Sequence, residues 1–74
     1  AMDKFFKAEQ FHNRYIQLSE HIVVVTLIDG TTLEGLYNDD FYEDESILIS
    51  LIDSPNVAIV KIDDIQKMEL SPLD

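Results

Sequence analysis

Cysteine is missing altogether from this chain of 74 residues, glycine and proline occur only twice each, and basic residues are scarce, with five Lys and Arg against fifteen Asp and Glu. Without cysteine there is no disulfide, no thiol nucleophile and no thiolate metal ligand, a usage that fits a reducing compartment, and cytoplasm is the expected location. Two glycines leave no Gly-rich phosphate loop. No apolar run approaches the ~18 residues of a membrane span, and the N-terminus lacks the order of a signal peptide, so neither a membrane nor an export route is expected. Ala1 ahead of Met2 reads as a remnant of tag removal, which makes residues 2–74 the single expected domain.

A chain this short buries only about 60% of the surface its unfolded form exposes. Small folds offset that deficit with disulfides, a metal site or association with copies of themselves, and here the first is excluded. The net charge of −10 is unevenly spread: residues 1–20 are balanced, whereas residues 21–74 hold twelve acids against Lys61 and Lys67. A surface of that sign repels phosphate backbones, which disfavours RNA as a partner.

Between Asp3 and Leu18 the apolar residues Phe5, Phe6, Ala8, Phe11, Tyr15, Ile16 and Leu18 recur at steps of three and four, the stripe of an amphipathic helix over about residues 3–18. Asp3 suits the N-cap, and the aromatics need a surface to cover. Residues 22–28 form a β-branched apolar run that Asp29-Gly30 interrupts, a hairpin signal because such tight turns use positive φ. The second strand is expected over residues 31–38, with Gly35 in its interior marking a bend or a close backbone approach. Residues 39–45 carry five acids and read as a loop. Residues 46–52 and 57–62 then make a second hairpin around Asp53-Ser54-Pro55-Asn56, Asp63-Asp64 is a short turn, and residues 65–70 form a last strand over a barrel spanning about residues 22–70.

The strands at residues 22–28, 47–52 and 57–62 place apolar side chains on both faces, whereas a half-solvated antiparallel strand alternates apolar with polar. One helix cannot cover the outside of a barrel, so surplus apolar surface points to an interface with another chain.

Recognisable enzyme chemistry is absent. No Ser stands in an elbow motif, and His12 and His21 lie nine apart on different elements, which does not suggest paired metal ligands. Neither a cofactor nor a metal is expected. The acids Asp39, Asp40, Glu43, Asp44 and Glu45 lack the regular order of a calcium loop and read as a solvated loop, with Phe41 and Tyr42 in its middle able to contact a partner.

The stretch from Val23 to Leu36, with Asp29-Gly30 and a second glycine at position 35, resembles the first motif of the Sm-like family of small β-barrels, which includes the LSm and Hfq-like proteins. The preceding helix, His21-Ile22-Val23 and the segment Val60-Lys61-Ile62-Asp63-Asp64-Ile65 are similar in layout to the bacterial RNA chaperone branch. The resemblance covers roughly residues 5–70. It implies a mainly β fold, an N-terminal α-helix followed by a five-stranded, strongly bent antiparallel open barrel, that assembles into rings by edge-strand pairing and usually binds single-stranded RNA. Carried onto this sequence, Phe41, with Tyr42 beside it, matches the family's aromatic position, and Glu45 or Ser46 stands near its base-reading Asn. Asp63 and Asp64 occupy the final loop, where the family has Arg-Gly or Lys-His, so the cationic half of the RNA site is missing.

The reading that follows is a non-enzymatic binding or scaffolding module acting as a homo-oligomeric ring, with itself and an unidentified protein as partners. The alternatives are an RNA-binding protein with an atypical acidic site at Phe41, Tyr42, Glu45, Ser46, Asp63 and Asp64, and an acidic inhibitor that imitates nucleic acid.

Overall fold

The helical stripe becomes α1 (Phe6–Tyr15), followed by a 3-10 turn at Ile16–Leu18, in a computed structural model that describes residues 6–74. The α-helix proper thus stops earlier than residue 18, as the hydrogen bonds tighten at Ile16, whose carbonyl accepts from the Ser19 N–H at 3.0 Å. The expected N-cap Asp3 and the first apolar position, Phe5, lie outside the described residues. Of the helical aromatics, Phe11 is buried and Tyr15 half-buried, their rings 4.6 Å apart, whereas Phe6 is exposed.

Five strands follow: β1 (Ile22–Leu27), β2 (Thr32–Phe41), β3 (Ser46–Leu51), β4 (Val57–Lys61) and, after a 3-10 turn at Ile62–Asp64, β5 (Ile65–Leu70). They form one antiparallel sheet in the order β4-β3-β2-β1-β5, bent and unclosed, with β4 and β5 at its two ends. This mainly β arrangement is compatible with the Sm-like layout. Among the described residues no helix is long and apolar enough to cross a membrane.

Two local expectations need correction. The second strand continues to Phe41, three residues further than residue 38, because a bulge between Tyr37 and Asp39 absorbs an extra residue and lets Asp39, Asp40 and Phe41 pair with Leu48, Ile47 and Ser46. The acidic loop is therefore only residues 42–45. At the first hairpin, Gly30 alone of the two turn residues takes positive φ, +91°, and its N–H donates to the Leu27 carbonyl at 2.9 Å. Asp29 keeps ordinary φ, and its carboxylate accepts from the Thr31 N–H at 3.0 Å and the Thr31 hydroxyl at 2.7 Å, so the reversal is a longer turn braced by a side chain.

The core lies on the inner face of the bend. Val23 and Val25 of β1, Tyr37 of β2, Ile47 and Ile49 of β3, Val60 of β4 and Met68 of β5 are buried there with Phe11 of α1. Gly35 faces Val23 on one side and Leu51 on the other, where the strands come closest. Alternate residues of the same strands point outward. On β1 Ile22, Val24 and Thr26 stay half-buried, while on β4 Val57 and Ile59 are 53% and 65% exposed.

Candidate functional site

The residues singled out from the sequence gather at one end of the sheet, contributed by two loops. Phe41 closes β2 opposite Ser46, the first residue of β3, and Tyr42 and Glu45 begin and end the connection between them. The reversal is tight enough to put Glu45 at φ +51°, a left-handed conformation rarely taken by a residue with a side chain. Its N–H donates to the Tyr42 carbonyl at 3.2 Å. Asp63 and Asp64 arrive from the 3-10 turn between β4 and β5, which is joined to the first loop twice. The Ile62 N–H donates to the Glu45 carbonyl at 2.9 Å, and the Lys61 ammonium donates to the Asp44 carbonyl at 2.8 Å.

The two aspartates of the final turn play different parts. The Asp63 carboxylate takes the Lys7 ammonium at 2.6 Å, a bond that raises the Lys7 pKa above its ordinary value. Both partners are exposed, so the pair contributes little to stability, but it brings a cation from α1 to this loop. Asp64 is engaged through its backbone, its carbonyl accepting the Ile28 N–H at 2.9 Å, and its side chain faces solvent. Ser46 is fully buried, and its hydroxyl has no partner among the described residues.

A second group, which sequence reasoning missed, supports this end of the molecule. The Asp40 carboxylate accepts the Tyr37 hydroxyl on one oxygen and the His12 imidazole Nδ1–H on the other, the latter at 2.6 Å. The His12 ring stands edge-on to Tyr42, centroids 5.8 Å apart. Asp40 therefore ties α1, the bulged end of β2 and the site aromatic together, although His12 and Asp40 are 28 positions apart. Burial and then the Asp40 hydrogen bond push the Tyr37 phenol far above its usual range. Tyr42 is raised too, by burial and then by Asp40 and Glu9.

A phenol whose folded pKa exceeds its unfolded value of ~10 contributes stability that is complete below that pH and is lost as pH rises beyond it. Tyr37→Phe is expected to cost ~1–3 kcal/mol at neutral pH, since a charged acceptor loses a donor, and to flatten the loss of stability above pH ~10. Urea melts of both proteins at neutral and alkaline pH check this. Equal stability at neutral pH, with parallel alkaline decline, would remove Tyr37 from the network.

Chemically, the site combines two half-buried aromatics, a fringe of exposed carboxylates and two lysines, Lys7 and Lys61, already engaged by the Asp63 carboxylate and the Asp44 carbonyl. Among the described residues no group of three or more His, Asp or Glu side chains converges to hold a metal ion. The other surface feature is β4. Residues 54–62 contain no acid and one lysine, in a chain of net charge −10, and form a sheet edge that carries exposed Val57 and Ile59. At the opposite edge β5 carries the exposed Leu70 beside an exposed Lys67–Glu69 pair at 3.8 Å. No protein-family model matches the chain, and no curated protein matches it in sequence.

Proposed function

We propose that this chain is a non-enzymatic, Sm-like binding or scaffolding module that works as a homo-oligomeric ring. The observation carrying this reading is the β4 edge: unpaired among the described residues, apolar on its outward face and free of acid where the rest of the barrel is strongly acidic. An open edge with exposed Val57 and Ile59 is a template for strand addition, and soluble monomers usually blunt such edges with charge or proline. Two copies of a −10 chain repel least where neither presents a carboxylate. With the outer edge of β5 unpaired among the described residues, one subunit offers two edges, and repetition of a contact between them generates a ring when its rotation closes. Light scattering at tens of micromolar protein should give several times the monomer mass, and a strict monomer would overturn the reading.

A second reading, RNA binding at the Phe41 and Tyr42 end, is favoured by one observation: Lys7 reaches that loop from α1. Aromatic stacking contributes ~1–3 kcal/mol per base, but affinity for phosphates depends on cations that release counterions, and here Lys7 is occupied by Asp63. Titration with uridine-rich and adenosine-rich oligonucleotides near 0.15 M salt should therefore show at most weak, salt-sensitive association. The double variant Asp63→Asn, Asp64→Lys, which releases Lys7 and adds a cation, should gain affinity at least tenfold. Submicromolar binding by the unaltered protein would promote RNA binding over scaffolding.

A further inference from the structure

Two ammonium groups gather at the end of the sheet that carries Tyr42, and they arrive on different elements. Lys7 comes from α1 to the Asp63 carboxylate at 2.6 Å, and Lys61 comes from β4 to the Asp44 carbonyl at 2.8 Å. In a chain with only five Lys and Arg, two of them thus mark the kind of group this surface takes. They do not neutralise it. Lys7 meets one carboxylate and Lys61 meets a carbonyl, while the Glu43 and Asp44 side chains are exposed and have no partner among the described residues. Tyr42 directly precedes them. Its half-buried ring stands edge-on to His12 at 5.8 Å, and His12 is itself fixed by the Asp40 carboxylate at 2.6 Å, so the aromatic is set in place before any ligand arrives.

A held aromatic beside spread, unpaired carboxylates suits one class of ligand. A metal ion needs carboxylates that converge, and among the described residues no three of them do. A nucleic acid brings phosphates to a surface that repels them. A second copy of this chain cannot supply the missing charge, because residues 21–74 hold two lysines and one of them, Lys61, is already engaged here. An extended segment with several cations matches the spread of the carboxylates, and arginine matches best. Its planar fork pairs with a carboxylate through two parallel N–H bonds and stacks on an aromatic face, neither of which an ammonium does as well.

We infer that the surface formed by Tyr42, Glu43, Asp44 and Asp63 binds an arginine-rich segment of another protein, with Lys7 occupying part of that surface in its absence. The inference rests on the binding-module part of the reading above and names the chemistry of the partner. It does not need the ring. Lys7 is the internal competitor: an incoming guanidinium takes the Asp63 carboxylate only after the Lys7 ammonium leaves it, and because both side chains are exposed that exchange costs little. Removing Lys7 therefore strengthens binding at Asp63 directly, whereas removing a remote lysine acts only through the screened field of the whole molecule.

The test is fluorescence anisotropy near physiological salt with a short labelled peptide of alternating Arg and Ser, and with a Lys peptide of the same spacing, after circular dichroism and thermal melts on each protein. The parent should bind the Arg peptide saturably and more tightly than the Lys peptide. The double variant Glu43→Gln, Asp44→Asn should weaken binding about tenfold, since charge-assisted bonds are lost. Asp53→Asn with Glu69→Gln, the same change of charge at two exposed positions elsewhere, should weaken it less than about twofold. Lys7→Met should tighten binding about threefold, and Lys67→Met should not. Tyr42→Leu should lower affinity for the Arg peptide more than for the Lys peptide. Should a site variant melt early, the comparison of Lys7→Met with Lys67→Met decides. Equal weakening by the two acid pairs, equal effects of the two lysines, or tighter binding of a uridine-rich oligonucleotide than of the peptide overturns the inference. So does a parent that associates with itself and binds no peptide, which leaves the assembly reading standing. Ile59→Asp should bind the peptide as the parent does, so failure of assembly and failure of this site are read separately.

Discussion

Gly35→Ala is expected to cost ~3 kcal/mol or more, the upper end of what overpacking a well-filled interior produces. A Cβ on residue 35 would lie 2.8 Å from the carbonyl carbon of Ser50 and 2.9 Å from the Ile49 methyl Cγ2, with the Ser50 oxygen closer still. Two of those atoms belong to the backbone of β3, which cannot swing aside as a flexible side chain would. The strands must separate, and the pairs Gly35 with Leu51 and Leu36 with Ser50 open first. For a domain of this size the loss corresponds to a fall of roughly 12–24 °C in Tm, measured at fixed protein concentration because association shifts Tm. Gly35→Val should be worse. Gly30→Ala separates the two roles of glycine: φ there is +91°, but nothing lies within 4 Å of an added Cβ, so only backbone strain of ~1–2 kcal/mol is expected. Equal melts for the parent and Gly35→Ala would mean that the close approach at residue 35 does not exist in solution.

In the proposed ring, Ile59→Asp should abolish association through β4 without unfolding the chain. Burying an isoleucine at an interface contributes ~1.5–3 kcal/mol, and a carboxylate in its place must be desolvated without a partner, which costs ~1–3 kcal/mol or more. Since 1.4 kcal/mol is about a factor of ten, weakening of about a hundredfold or more is expected at each interface. The monomer should keep its circular dichroism, because the side chain is exposed within one chain. Ile59→Ser, lacking the charge, should weaken assembly by about tenfold, and raising salt should partly rescue the Asp variant and tighten the parent, since the Debye length is ~8 Å at 0.15 M. An Ile59→Asp protein that sediments with the parent's mass would exclude β4 from the contact.

How far the fold could be read without coordinates depended on whether the signal was local. Asp29-Gly30 and Asp53-Ser54-Pro55-Asn56 located two of the three hairpins because turn chemistry acts within four residues. The end of β2 was misjudged because Asp39 and Asp40 are poor strand formers and read as loop. Pairing with β3, a bulge and the demand of Tyr37 and His12 for a carboxylate outweigh that propensity. Glu45 carries no sign of its positive φ, a position where glycine or asparagine is usual; the conformation comes from closing the loop against Ile62.

The candidate site divides in the same way. That Phe41, Tyr42, Glu45, Ser46, Asp63 and Asp64 share one end of the molecule follows from strand order. The Lys7 pair with Asp63, the Asp40 hub and the bonds of Asp74 to Ile22 and His21 could not be anticipated, since their partners lie 56, 28 and 52 or 53 positions apart. By itself the sequence determined the helix, the five strands, the deficit of positive charge and the excess of apolar residues on both strand faces, because periodicity, turn chemistry and composition act over a few residues or over none. Tertiary structure alone decided which of those apolar residues stay in solvent and which carboxylates are already taken, because burial and hydrogen bonding depend on where distant segments meet.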